Sequence, residues 1–249
     1  MSHLATLRFY AELNDLLPEE HRAASITREF DVPGSVKDFI EACGVPHTEV
    51  DLIIVNGESV GFDHLVRDGE HISVYPVFES FDISPIAKVR ASPLREITFV
   101  ADVHLGRLAR YLRLLGFDTL YDRNRLDTEL AEVSSTEGRI LLTRDVELLK
   151  RSAVTHGYFV RSDEPRRQVV EVTRRFHLED HLHPFTRCMV CNGGLSTVPK
   201  AEIEDRLPAA TRQHIDDYSK CTECGRVYWR GAHHPELSRI IETVRRGKR

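Results

Sequence analysis

The 249-residue chain carries 34 Lys and Arg against 39 Asp and Glu, a formal net charge of -5, and is 41% hydrophobic. That apolar content can fill one large core or two to three small ones, so more than one domain is expected. No run of 18 apolar residues and no basic, small-residue-terminated leader occurs, which argues against a membrane span or export and gives the expectation of a cytoplasmic protein.

Charge is unevenly distributed. Residues 1–80 hold 5 Lys and Arg against 15 Asp and Glu, a net of -10, while the remaining 169 residues hold 29 against 24, a net of +5. An acidic N-terminal region that covers a mildly basic remainder is one expectation, and a polyanionic ligand for the basic part is another. Along the N-terminal region, Leu4 to Tyr10 and Ala24 to Asp31 read as strands. Pro33-Gly34-Ser35 breaks the chain, with Ser35 placed to N-cap a helix from Val36 to about Cys43. Strands follow at Asp51 to Val55, turning at Asn56-Gly57, and at Glu70 to Val77. The order β-β-α-β-β resembles the β-grasp, or ubiquitin-like, fold of small sulfur carriers, the likeness lying in Leu52 to Gly57 and Asp68 to Tyr75. Those carriers end in a free Gly-Gly tail. Here Pro76-Val77-Phe78-Glu79 follows, so their thiocarboxylate chemistry is not expected.

Residues 81–95 contain Pro85 and Pro93 without periodicity and read as a linker. From Ile97 strands and helices alternate. Ile97 to Ala101 is a wholly apolar strand, as a strand covered on both faces requires, and it ends at Asp102. Leu105, Leu108, Ala109, Leu112 and Leu115 share one helical stripe, with Arg107, Arg110 and Arg113 largely opposite and Gly116 closing the helix. A strand at Thr119 to Tyr121 ends at Asp122, and Asp127 is placed to N-cap a helix that stops at Gly138. Ile140 to Thr143 leads through Arg144-Asp145 into a helix reaching Lys150. Tyr158 to Val160 is a fourth strand, and Pro165 opens a helix to about Phe176. Repeated β-α units imply a parallel, three-layer α/β sheet over residues 96–183.

The carboxyl ends of parallel strands open on one edge, where ligands bind. Asp102, Asp122, Asp145 and Asp163 each follow a predicted strand, and Asp127 begins the next helix. Carboxylates gathered on one rim repel one another unless a cation lies among them, and oxygen-only ligands select Mg²⁺ or Mn²⁺. Any one of these aspartates also serves simply as a helix N-cap. Thr143 and Arg144 place a hydroxyl and a guanidinium beside Asp145, and Arg107 and Arg110 lie near the rim in reach of a phosphate. Neither a Gly-rich phosphate loop nor a G-x-S-x-G elbow is present, which removes the commonest nucleotide-hydrolase and serine-hydrolase readings.

Residues 184–249 contain two identical brackets, Cys188-Met-Val-Cys191 and Cys221-Thr-Glu-Cys224. Four thiols at this spacing predict a closed, structural zinc site with no position for a catalytic water; paired disulfides are the competing reading. Asn192-Gly193-Gly194 and Gly225 supply tight turns whose amides point at the sulfurs. Between the brackets, Glu202 to Leu207 and Ala209 to Tyr218 read as helical, and a C-terminal helix ends the chain. Arg226, Trp229 and Arg230 mix basic and aromatic groups as single-stranded RNA binding uses, although Val227 to Trp229 equally makes a last ribbon strand.

Phe99-Val100-Ala101-Asp102, the stretch from Leu105-Gly106-Arg107 to Leu115-Gly116, Leu141-Leu142-Thr143-Arg144-Asp145 and the two cysteine brackets together resemble the Mut-seven C-terminal RNase domain family. The resemblance implies a PIN-like nuclease with a zinc ribbon, often preceded by a ubiquitin-like domain. It would make Asp102, Asp127 and Asp145 the Mg²⁺ or Mn²⁺ ligands, supported by Thr143 and Arg144, with Asp122 or Asp163 as a fourth acid. The ribbon would then hold RNA across the rim. A non-catalytic RNA- or ribosome-binding adaptor of the same fold is the alternative.

Overall fold

The computed structural model describes residues 2–76, 88–89, 97–231 and 234–246. Apart from residues 88 and 89, the linker expected over 81–95 lies outside the described residues. The chain divides into two compact units, one of Met1–Glu96 with Asp145–Phe159 and one of Ile97–Arg144 with Val160–Arg249.

In the N-terminal region β1 (His3–Phe9) and β2 (Ser25–Phe30) form an antiparallel pair, and α1 (Val36–Ala42) follows. β3 (Leu52–Val55), β4 (Glu58–Val60) and β5 (His71–Tyr75) complete a sheet of order β2-β1-β5-β3-β4, with β1 and β5 parallel at its centre. The period-two pattern of β1 sets its faces, since Ala5, Leu7 and Phe9 are buried while Leu4 and Arg8 are exposed. Ser35 starts α1 as expected: its Oγ accepts from the Asp38 amide at 3.2 Å and the Asp38 carboxylate accepts from the Ser35 amide at 3.2 Å. The helix buries Val36 and Ile40 on the sheet, in one core with Leu7, Ile53, Ile72 and Val74. The sequence pattern misses β4, which is three residues long and half-exposed, so it carries no apolar signal.

The central sheet is built from β6 (Phe99–Ala101), α2 (Gly106–Leu114), β7 (Thr119–Tyr121), α3 (Asp127–Glu137), β8 (Ile140–Thr143), α4 (Val146–Leu149), β9 (Gly157–Phe159) and α5 (Pro165–Arg175). Its order is β7-β6-β8-β9, and β6 runs parallel to both β7 and β8, with Phe99 opposite Thr119 and Ile140. Every residue of β6 and β8 is buried, as strands with both faces covered require. Two expectations are corrected here. Asp127 is the first residue of α3 rather than its cap; Leu126 occupies the cap position and the Glu129 carboxylate accepts from its amide at 2.9 Å. Arg113 does not lie on the solvent side of α2 but is 3% exposed.

Beyond α5, β10 (Leu195–Thr197), α6 (Ala209–His214), β11 (Tyr218–Cys221) and β12 (Val227–Trp229) form a small module with an antiparallel sheet of order β10-β11-β12, and α7 (His234–Arg246) follows. The helical reading of the insertion holds only in part. Two 3-10 turns, Lys200–Glu202 and Glu204–Arg206, occupy the first segment, and α6 stops at His214. Tyr218 begins β11 rather than ending a helix, and its side chain is buried in the module's core with Val198, Ile203 and Leu207, where its hydroxyl donates to the carbonyls of Ile215 at 2.9 Å and Thr211 at 3.2 Å. Among the described residues no helix is long and apolar enough to cross a membrane.

Candidate active site and metal centre

Asp102 stands directly after β6 and is 4% exposed. Its Oδ2 accepts from Thr143 Oγ1 at 2.6 Å and its Oδ1 from the Val103 amide, so the hydroxyl that ends β8 fixes the carboxylate that ends β6. A buried carboxylate is tolerable only with such donors. Asp122, after β7, closes a tight turn by accepting from the Asn124 amide at 2.9 Å. Asp127 is exposed in the first turn of α3. Asp145 N-caps α4, its Oδ1 accepting from the amides of Glu147 at 2.8 Å and Leu148 at 3.3 Å. Among the described residues these aspartates do not form a group of three with ligand atoms within 4.8 Å of one another.

A cleft of about 460 Å³ is lined by Val103, the residue after Asp102, with His104, Arg107, Arg110, Tyr121 and Asp163 among others. Tyr121 shapes its wall: the hydroxyl donates to the Val103 carbonyl at 3.1 Å, and the ring lies where a Cβ on Gly106 would come within 2.7 Å of it. Glycine is therefore required at the start of α2 for the tyrosine to lie there. Asp163 lines this cleft, whereas Asp102, Asp122, Asp127 and Asp145 do not. The loop bearing Asp163 is held by groups that the sequence did not single out. Glu171 accepts from the amides of Arg161 at 2.7 Å and Ser162 at 3.0 Å, and Gln168 Nε2 donates to the Ser162 carbonyl at 2.9 Å. Arg144 Nη1 donates to the carbonyls of Val160, Arg161 and Ser162, so Arg144 braces this loop.

The cysteines converge as their spacing predicts. Cys188, Cys191, Cys221 and Cys224 place their sulfurs within 4.8 Å of one another, with Cys191 and Cys221 3.3 Å apart and Cys188 and Cys224 3.7 Å apart. Four sulfurs at tetrahedral bond lengths of about 2.3 Å from one ion lie about 3.8 Å apart, so the donor set fits zinc. All four are free thiols rather than disulfides. Burial works to raise the Cys188 thiol, but the Tyr228 hydroxyl and the amides of Cys191 and Val190 outweigh it and bring it down to about 6. Burial and the neighbouring sulfurs push Cys191 up to about 12. One thiolate is thus favoured and the next is opposed, which is the condition a divalent cation relieves. The backbone turns are those expected, with Asn192 and Gly225 at φ of 76° and 68°. Tyr228 Oη lies 3.0 Å from Cys188 Sγ, which commits that aromatic residue to the cluster. Arg226 and Arg230 are exposed and Trp229 is 37% exposed.

The buried Arg113 shows where the first cysteine bracket attaches. Its Nε donates to the Thr119 carbonyl at 2.9 Å and its Nη1 to the Val190 carbonyl at 2.8 Å. Asn192 Oδ1 accepts from the Thr119 amide at 3.1 Å and Asn192 Nδ2 donates to Asp118 at 2.9 Å. Asp118 also receives Arg139 Nη1 at 2.6 Å and lies 3.4 Å from Arg187. Thr119 begins β7 and Arg139 precedes β8, so the bracket is anchored at the amino ends of the strands. Asp102 and Thr143 mark the opposite, carboxyl ends. This end of the ribbon buttresses the sheet on the side away from the rim, which differs from the expectation that the ribbon spans the rim.

A parallel sheet with an aspartate-bearing carboxyl edge, a thiolate cluster bound to its amino edge and an N-terminal β-grasp region define an α/β multidomain protein. The model of the Mut7-C RNAse domain matches residues 97–241 and that of the Mut7-C ubiquitin domain matches residues 2–82. The chain belongs to the Mut7-C RNAse domain family. No curated protein and no solved structure matches it.

Proposed function

We propose that the chain is a metal-dependent ribonuclease of PIN-like type that hydrolyses RNA phosphodiester bonds at the carboxyl edge of its parallel sheet. The observation that carries this reading is the buried Asp102, held at a strand end by Thr143, with the next residue, Val103, lining a cleft that two arginines also line. Asp102, Asp127 and Asp145 are the proposed ligands of Mg²⁺ or Mn²⁺. The donor set is oxygen-only, and Mg²⁺ needs only one or two carboxylates because it keeps several waters, so a three-carboxylate cage is not required. The bound ion would activate a water and neutralise charge growing on the phosphodiester. The chain's own residues do the rest: Arg107 and Arg110 bind the backbone phosphate, Thr143 and Val103 orient Asp102, and Arg144 with Glu171 present Asp163 to the same cleft. Asp163 is thereby a stronger candidate for the fourth acid than Asp122. Zinc is the proposed occupant of the cysteine cluster, and the exposed Trp229 and Arg230 offer RNA a stacking and charged surface.

The second reading, a non-catalytic RNA- or ribosome-binding adaptor, is favoured by one specific observation: both oxygens of Asp102 already accept hydrogen bonds within the protein. Incubating the chain with end-labelled RNA and DNA oligomers, with Mg²⁺, with Mn²⁺ and with chelator, separates the two. Metal-dependent cutting of RNA supports the enzyme, and binding without cutting supports the adaptor.

A further inference from the structure

The turn between α1 and β3 in the β-grasp region meets the segment that follows Asp145. Both belong to the same compact unit. The turn is the 3-10 element His47–Glu49, opened by Pro46, and its three side chains are buried although none is apolar; Thr48 and Glu49 are each 1% exposed. Burying an acid, an imidazole and a hydroxyl side by side is costly unless partners are supplied. Partners come from 107 and 110 residues further along the chain. His47 Nε2 lies 2.8 Å from the Val154 carbonyl while its Nδ1 lies 2.6 Å from Glu41 of α1, and Glu49 Oε1 accepts from the Phe159 amide at 2.6 Å. β9 is the outermost strand in the order β7-β6-β8-β9. Glu49 gives the Phe159 amide of this strand a side-chain acceptor from the β-grasp region.

The segment so gripped consists of short elements that also bury Leu148, Leu149, Val154 and Tyr158. α4 is a single turn of four residues, capped by Asp145, and it connects through residues 150–156 to the three-residue β9. Short elements of this kind sit at the low-stability end of a fold and open locally unless docked.

We propose that His47 and Glu49 are positioning residues: the β-grasp region clamps the 145–159 segment through them and so holds Asp145 in place at the head of α4. This gives the N-terminal region a role in the framework that holds Asp145. The catalytic half of the proposal rests on the ribonuclease reading above, whereas the clamp itself does not.

Hydrogen exchange and RNA cleavage on the full chain test it together, with Glu49→Ala and Glu49→Gln compared, because glutamine keeps an oxygen acceptor for the Phe159 amide. In Glu49→Ala, exchange across residues 145–159 should accelerate about tenfold or more, as local opening predicts. Cleavage should fall about tenfold in kcat with little change in KM, as loss of a correctly placed group predicts. Glu49→Gln should recover most of both. Unchanged exchange in Glu49→Ala overturns the clamp, and faster exchange with undiminished cleavage overturns the positioning role. A parent chain that cuts no RNA removes the ribonuclease reading and the catalytic half with it, while exchange alone still decides the clamp.

Discussion

Thr143 Oγ1 donates to Asp102 Oδ2 at 2.6 Å, joining the carboxyl ends of two adjacent parallel strands through side chains that are almost wholly inaccessible to water. Valine has nearly the shape of threonine but no hydroxyl. Thr143→Val should leave the Asp102 carboxylate short of a donor and destabilise the chain by roughly 1–3 kcal/mol, with Thr143→Ser close to the parent. Urea unfolding of the three proteins measures this directly, and equal midpoints for Val and Thr would show that the bond contributes nothing net.

The cysteine cluster is joined to the sheet through Arg113 and Asn192. The purified chain should hold one equivalent of zinc. Its removal by chelator should lower the melting temperature of the whole 97–241 region rather than unfold a separate ribbon, because the bracket and the start of β7 share hydrogen bonds. Two well-separated thermal transitions after chelation would contradict that coupling.

Asp118 collects charge from Arg139 and Arg187. Burial works to raise its carboxyl, but the hydrogen bonds from Arg139 and Asn192 and the charges of both arginines outweigh it, so its pKa in the folded chain is below the usual carboxylate value. A lowered folded pKa gives stability that is complete above the unfolded value and is lost as the pH falls through the folded one. Asp118→Asn should therefore cost about 1–3 kcal/mol at neutral pH, and the gap to the parent should close at pH values below the ordinary carboxylate range. Chemical denaturation across pH 2 to 7 checks the sign; a gap that widens on acidification would refute it.

Gly116 has φ of +100°, and a Cβ built there would lie 2.4 Å from the His183 carbonyl oxygen. Any side chain must both adopt a backbone region that L-residues avoid and displace main chain. Gly116→Ala should lose at least about 1–3 kcal/mol, whereas Gly138→Ala, with φ of +64° and open space around it, should lose less. Thermal melts of the two variants side by side provide the comparison.

Local patterns in the sequence show much of this molecule because they are set by local physics. The apolar runs of β6 and β8, the cap at Ser35, the stop at Gly138 and the convergence of the four cysteines each follow from residues close together in the chain. What the sequence did not show depends on distant partners. Arg113 lies among the arginines of an amphipathic helix and looks solvated, yet carbonyls of the cysteine bracket 76 and 77 residues away cover it. His47 and Glu49 look like polar residues of an exposed turn, and only the return of the chain at Val154 and Phe159 explains their burial. Glu171 looks like one more polar position on a helix until its two oxygens are found on the amides that precede Asp163.

The central claim is that Asp102 serves chemistry at the rim and not only the fold. Single-turnover cleavage of a labelled single-stranded RNA in Mn²⁺ by the parent and by Asp102→Asn, with RNA affinity and melting temperature measured on the same samples, tests it most directly. Asparagine keeps an oxygen to accept from Thr143, so the fold should survive. The account predicts a loss of cleavage of about 10²-fold or more with affinity retained. A variant that cuts as fast as the parent would contradict it.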